Sequence, residues 1–141
     1  MTELDRQQIR DACMAYWAGF DRGDPEVYLR AFTPDATMSL FDGKTILDVA
    51  KFVAEGGLGK TGFEHKSHTP GSQVITVDGD TACADTLVTA VLVTADGPVM
   101  VRGLRYLDDL VRVEDGWRIS HRRHSVLWQY NAERVATRTT Y

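Results

Sequence analysis

The stretch VITVDGDTACADTLVTAVLVTADGPVMVRGLRYLDDLVRVEDGWRIS, residues 74–120, decides the fold. Three Asp-Gly pairs punctuate it, Asp78-Gly79, Asp96-Gly97 and Asp115-Gly116. Asp-Gly supplies the positive-φ backbone of tight hairpin turns. The runs between them are rich in β-branched residues, so the second half reads as four strands over 64–77, 81–94, 98–113 and 117–128. Strands of roughly ten or more residues are long for a flat sheet and predict a strongly curved antiparallel one.

Upstream, the apolar period changes from that of a strand to that of a helix. Ile9, Ala12, Cys13, Tyr16, Trp17 and Phe20 form one helical stripe, opened at Thr2 with Glu3 and Asp5 in the first turn and closed near Arg22-Gly23. Asp24-Pro25 starts a short second helix that carries Val27, Tyr28, Ala31 and Phe32 and stops before Pro34. Two small strands around 37–41 and 44–46 turn at Asp42-Gly43. Thr45 caps a third helix with Ile46, Val49, Phe52 and Val53 on one side, ended by Gly56-Gly57. Helices followed by an antiparallel meander make an α+β fold, a cone-shaped curved sheet wrapped on three N-terminal helices. One domain is expected over 1–130, with a polar, Thr-rich tail over 131–141. Such a cone encloses a pocket, and ionisable groups inside a pocket call for a functional explanation.

The 141 residues carry 16 Lys plus Arg against 20 Asp plus Glu, a net charge of −4. A duplex nucleic-acid partner, which needs a basic face, is therefore not expected. No apolar run approaches the roughly 20 residues of a membrane span. The first six residues are too polar for a secretory signal. Cys13 and Cys83 read as small apolar core residues, and a cytoplasmic location is expected. There is no GxGxxG, P-loop or GxSxG pattern, so no nucleotide or flavin cofactor is expected.

Four places carry chemistry. Asp21 follows directly on the apolar stripe, at a helix C-terminus where an acid opposes the dipole and is mildly destabilising. His68 lies near the start of the first long strand, beside Pro70, which forces an irregularity or an edge there. Histidine is the usual general base near neutral pH. Regular alternation over Trp117–His124 puts Trp117, Ile119, His121 and Arg123 on one face, with Arg118, Ser120, Arg122 and His124 on the other. Arg102 sits in an otherwise apolar strand, where a lone arginine implies a buried carboxylate partner or an anionic ligand. His65/His68 and His121/His124 share a His-x-x-His spacing, but residues three apart on a strand face opposite ways, so no metal site is expected.

These residues resemble the SnoaL-like family of the nuclear-transport-factor-2-like superfamily, near its scytalone dehydratase and hexachlorocyclohexane dehydrochlorinase branch. The resemblance spans about residues 3–128 and rests on Tyr16–Asp24, Phe32-Thr33-Pro34-Asp35-Ala36, His68-Thr69-Pro70-Gly71 and Asp115-Gly116-Trp117-Arg118-Ile119. It implies a cystatin-like α+β roll and a catalytic dyad at the positions of Asp21 and His68. It also implies a polar pocket residue at Arg122 and a pocket-lining residue at Tyr16. Arg102 falls near another pocket position. Phe20 stands where scytalone dehydratase has a substrate-binding tyrosine, which argues against scytalone as substrate.

Taken together, these readings give a cofactor-free lyase acting on a small cyclic or aromatic hydrophobic substrate. Asp21, His68 and Arg122 would be catalytic, while Tyr16, Phe20, Arg102 and His124 would bind substrate. Arg122 would stabilise a developing oxyanion, its charge offset by Asp21 or by that anion. The same parts suit an isomerase or a polyketide-cyclase-type enzyme, and the fold also suits a non-catalytic dimeric binding module. A homodimer or higher homo-oligomer is expected, because Val88, Ala90, Leu92, Val99 and Val101 place more apolar surface on the sheet than the helices cover.

Overall fold

The computed structural model describes residues 1–135. Helices α1 (Glu3–Arg22), α2 (Pro25–Leu29) and α3 (Val49–Ala54) pack on one six-stranded sheet. Its strands are β1 (Phe32–Leu40), β2 (Thr45–Asp48), β3 (Phe63–Asp78), β4 (Thr81–Thr94), β5 (Val99–Val113) and β6 (Gly116–Ala132), in the order β2-β1-β6-β5-β4-β3. This is the expected α+β cone. The long strands β3 to β6 form an antiparallel meander, whereas β1 joins β6 in parallel.

The first helix starts and stops where its residues dictate. Thr2 and Asp5 form a reciprocal capping box, and Gly23 takes the left-handed conformation at the C-terminus (φ 62°). Gly19 is where α2 crosses: a Cβ there would lie 2.4 Å from the Tyr28 nitrogen. That close approach lets Tyr28 enter the core beside Tyr16.

Several boundaries differ from expectation. The second helix ends at Leu29, and Phe32 opens β1. Pro34 is tolerated inside that strand because the β1–β6 register breaks between Phe32 and Thr37, where no ladder donor is needed. Asp48, not Thr45, caps α3 through the Lys51 N–H, and Ile46 is an exposed strand residue. Asn131 and Ala132, expected in the tail, extend β6, and residues 136–141 lie outside the described residues. Cys83 is exposed on the outer face rather than in the core; only Cys13 is buried.

The faces of the meander also need correction. Val88, Ala90 and Leu92 are buried against the helices. The outer face instead carries Val99 and Val101 with exposed Leu87, Trp128 and Tyr130, the last two rings stacked at 6.0 Å.

A polar clamp closes the narrow end of the cone. Asp5 accepts bonds from the Thr2 N–H (3.0 Å), Trp117 Nε1 (3.1 Å) and Arg112 Nη1 (2.7 Å), tying the start of α1 to the β5–β6 hairpin. These donors, the Thr2 backbone first, hold its carboxyl well below the usual carboxylate range. A group whose pKa is depressed by folding stabilises fully above its unfolded value, near 4, and loses that contribution as pH falls below it. Asp5→Asn is therefore expected to lower the melting temperature at pH 7 and to flatten its fall below about pH 4. Parallel melting curves for the two proteins across that range would remove Asp5 from the acid response.

Candidate functional site

Asp21 occupies the last turn of α1, one residue beyond Phe20. His68 lies on β3, the edge strand, and pairs with Ala90 of β4. Both carboxylate oxygens of Asp21 are used on His68: Oδ1 accepts from the ring Nδ1–H at 2.6 Å, and Oδ2 from the backbone N–H at 2.8 Å. This double bond to one residue accounts for an acid at a helix C-terminus, where the dipole disfavours it. The side chains are only 6% and 12% exposed for His68 and Asp21 respectively. With Nδ1 committed to Asp21, Nε2 is the ring's free basic atom.

A one-residue bulge sets the direction of His68. Between Pro70 and Gln73 the β3–β4 register gains a residue. His68 and Ile75 are seven apart, an odd spacing that would put them on opposite faces of a regular strand. With the bulge, both pair opposite inward-facing alanines, Ala90 and Ala84, each fully buried.

Around the pair stand aromatic rings. Phe20 meets the His68 ring edge-on at 5.5 Å and stacks on Tyr16 at 6.2 Å. Lys66, two residues before His68, places its Nζ 4.9 Å from the Phe20 centroid. Tyr16 also contacts Tyr28, Phe32 and Tyr106. Burial pushes its phenol up to about 12, so it stays protonated and able to donate. A separate cavity of about 250 Å³ between α1 and the β3 bulge, bordered by Arg10, Trp17, Gln73 and Thr86, has neither member of the pair in its lining.

A second bulge, at Ser120, overturns the expected alternation on β6. The β5–β6 register shifts between Asp109 and Leu110. Trp117, Ile119, Arg122 and His124 are consequently buried together, while His121 sits among the Thr37 and Ser39 hydroxyls (2.7 and 3.2 Å). Arg122 is fully buried, and its counter-ion is neither Asp21 nor a ligand. It is Asp108, which sequence reasoning missed. Two 2.6 Å bonds join Arg122 Nε and Nη2 to the Asp108 carboxylate. The guanidinium carbon lies 4.4 Å from the Tyr16 ring centroid and 4.7 Å from those of Trp17 and Tyr106. Nη1 has no hydrogen-bond partner among the described residues, and the π faces provide its compensation. Burial opposes the charge, but Asp108 more than offsets that, and the guanidinium pKa is raised. Nothing local in either strand marks this pairing, which depends on the β5–β6 register.

His124 and Arg102 complete the wall facing His68. His124 Nδ1 accepts the Phe41 backbone N–H at 3.2 Å, so its ring proton is on Nε2. Burial, assisted by Arg102, lowers its pKa to about 4, leaving it neutral at ordinary pH. Arg102 follows Ala90 across the sheet and donates from Nε to Gln129 (2.7 Å). The carboxylate partner its strand position implied is absent among the described residues.

Comparisons with known proteins agree with this architecture. A family model described as a SnoaL-like domain matches residues 2–123. An uncharacterised protein of Mycobacterium tuberculosis is 32% identical over 125 residues, covering 84% of this chain and 82% of the relative. Among solved structures, a candidate scytalone dehydratase from Novosphingobium aromaticivorans superposes with a TM-score of 0.77 at 22% identity, covering 93% of this chain and 89% of that one. A hexachlorocyclohexane dehydrochlorinase from Novosphingobium barchaimii gives a TM-score of 0.82 at 13% identity, covering 99% and 100%.

Removing one partner of a buried pair strands the other charge and costs about 3–5 kcal/mol. Arg122→Met is therefore expected to destabilise by that amount in urea unfolding, and the further change Asp108→Leu to restore most of it. A double variant no more stable than the single one would show that the two charges are not coupled.

Proposed function

The chain belongs to the SnoaL-like domain family, and from that premise we propose that it is a cofactor-free lyase carrying out a dehydratase-type β-elimination on a small cyclic or aromatic hydrophobic substrate. The observation that carries the reading is the Asp21 carboxylate, which spends both oxygens on His68 in an aromatic-lined setting. Two proteins of the same fold, named for a dehydration and a dehydrochlorination, support elimination as the class of reaction.

In the proposed step His68 Nε2 takes a proton from the carbon next to an electron-withdrawing group. The C–H electron pair becomes the new double bond as the C–O bond breaks. The departing hydroxide collects the proton from His68 and leaves as water. Asp21 keeps the ring in the tautomer with Nδ1 protonated and stabilises the imidazolium while it exists. Base catalysis of this kind is worth about 10²–10⁴ in rate. A neutral donor suits the oxygen on which charge develops, and the Tyr16 hydroxyl is available for it. Arg122, already paired with Asp108, serves as a positioning residue that holds Tyr16 through its π face. Phe20 supplies the apolar surface beside the base.

We further propose that the protein is a cytoplasmic homodimer, joined through the outer sheet face of Leu87, Val101, Trp128 and Tyr130, since closed two-fold assembly is the commonest cover for such a surface. A single 15.7 kDa species in sedimentation at micromolar concentration would argue decisively for a monomer.

The reading is tested by screening cyclic β-hydroxy ketones for water loss with the wild type beside His68→Ala and Asp21→Asn. Both variants are expected to stay folded and to lose at least about a hundredfold in turnover. Wild-type turnover in either variant would sink the dyad mechanism, and no turnover by the wild type across the screen would leave a binding module in its place.

A further inference from the structure

Six arginines lie on the long strands β5 and β6. Five have carboxylate partners: Arg105 with Asp85, Arg112 with Asp5 and Asp80, Arg118 with Asp115, Arg122 with Asp108, and Arg123 with Asp109. Arg102 has none among the described residues; its one bond is Nε to the neutral Gln129. It is also half-buried, and burial lowers its pKa, where the pKa values of Arg105, Arg112, Arg122 and Arg123 are raised by their partners. A half-buried cation with no anion beside it is an incomplete site.

Arg102 shares a sheet row with the base. His68 pairs with Ala90, and Ala90 with Arg102, so all three point to the concave face. The residue between them is a bare methyl group. At about 4.8 Å per strand, the two functional residues are rooted roughly 10 Å apart.

His124 faces the same space. Its ring is close enough to feel the charges of Arg102, His68 and Arg122. It is held by a strained turn: Phe41 and Asp42 both adopt left-handed φ, 52° and 57°, without being glycine. Residues other than glycine rarely adopt that conformation, and it persists where surrounding bonds enforce it. The enforcing bonds here are both to His124, from the Phe41 N–H to Nδ1 and from the Asp42 N–H to the carbonyl oxygen, each 3.2 Å. The turn thereby fixes the Nε2–H tautomer and sets the Phe41 ring, 40% exposed, between the His124 ring (5.0 Å) and the Arg102 guanidinium (6.0 Å).

We propose that the substrate carries a carboxylate, bound by the Arg102 guanidinium with the His124 Nε2–H beside it, while its ring reaches from there towards the His68 base. This rests on reading Asp21 and His68 as that base. The anion is a resident group rather than the charge that develops on reaction. Proton transfer brings the reacting carbon within about 3.5 Å of Nε2, and the developing charge appears within a bond or two of it. The Arg102 guanidinium is turned away from that charge, towards Gln129 on β6 and the Phe41 ring, on the side of the sheet opposite β3. A ring with one carboxyl substituent covers the distance, and a planar guanidinium fork matches that carboxylate.

Benzoate and its neutral isostere benzamide test the site without requiring turnover, by calorimetry and by the imidazole NMR signals of the full-length protein. Wild type is expected to bind benzoate at least about tenfold more tightly than benzamide, with both the His68 and His124 ring signals moving. Arg102→Met should abolish that preference, Arg102→Lys should retain part of it, and His68→Ala should keep it whole. Unchanged melting temperatures would show that the variants fold, and the wild-type comparison stands even if Arg102→Met does not. Equal affinity for the two probes, no binding of benzoate at about 10 mM, or binding that leaves the His124 signal still would each overturn the proposal. Benzoate selectivity that persists alongside undiminished turnover in His68→Ala would instead sink the base and leave the carboxylate site standing.

Discussion

Arg122 and Asp108 meet inside the cone with no exposure on either side chain, and the two 2.6 Å bonds between them organise what surrounds them. A guanidinium buried this deeply needs both a carboxylate and π faces, and α1 supplies the latter through Tyr16 and Trp17. The Cys13 thiol, one turn earlier, lies 3.5 Å from the same carboxylate. Helix α1 is thus held to the sheet by a polar contact as well as by its apolar stripe. Apolar packing alone tolerates small rotations of a helix, whereas a bidentate ion pair under three rings does not. Asp21, just over one turn beyond Tyr16, inherits that fixed orientation and reaches His68.

From this centre the cone divides into two walls of different chemistry. On one side Asp21 and His68 form a pair in which the acid has no spare oxygen and the imidazole has one spare nitrogen. On the other, Arg102 and His124 present donors and no acid. Aromatic rings separate them, with Phe20 and Tyr16 towards the base and Tyr106 and Phe41 towards the donors. The interior ion pair is closed upon itself, so the electrostatic asymmetry of the concave face comes from these two groups.

Much of this was legible in the residues. The stripe from Ile9 to Phe20 and the Asp24-Pro25 helix start each depend on a local rule, and each holds in the structure; the Asp-Gly pairs mark the three turns of the meander, but Gly97, unlike Gly79 and Gly116, turns without a positive φ. Asp21 stood out because an acid at a helix C-terminus needs a reason, and His68 because of its place beside Pro70. Where local signals competed, the outcome was less readable. Thr45 and Asp48 both have capping side chains, and the β1–β2 hairpin claimed Thr45 for a strand, leaving Asp48 to cap α3.

The amino-acid sequence by itself determined the elements and their order, because those follow from short-range stereochemistry; it marked Asp21 and His68 one at a time, and only the family resemblance joined them as a pair. Tertiary structure alone decided which face each strand residue presents. Single-residue bulges in β3 and β6 reverse the alternation, and their positions follow from how curved strands keep register with their neighbours. For that reason Arg122 and His124 lie with Trp117 instead of opposite it, whereas Val88 and Leu92 lie inside on the unbroken alternation of β4, in step with Ala82 and Ala84. The partnership of Arg122 with Asp108 was equally out of reach. It joins adjacent strands through a register that the bulge at Ser120 sets, and no local pattern in either strand announces it.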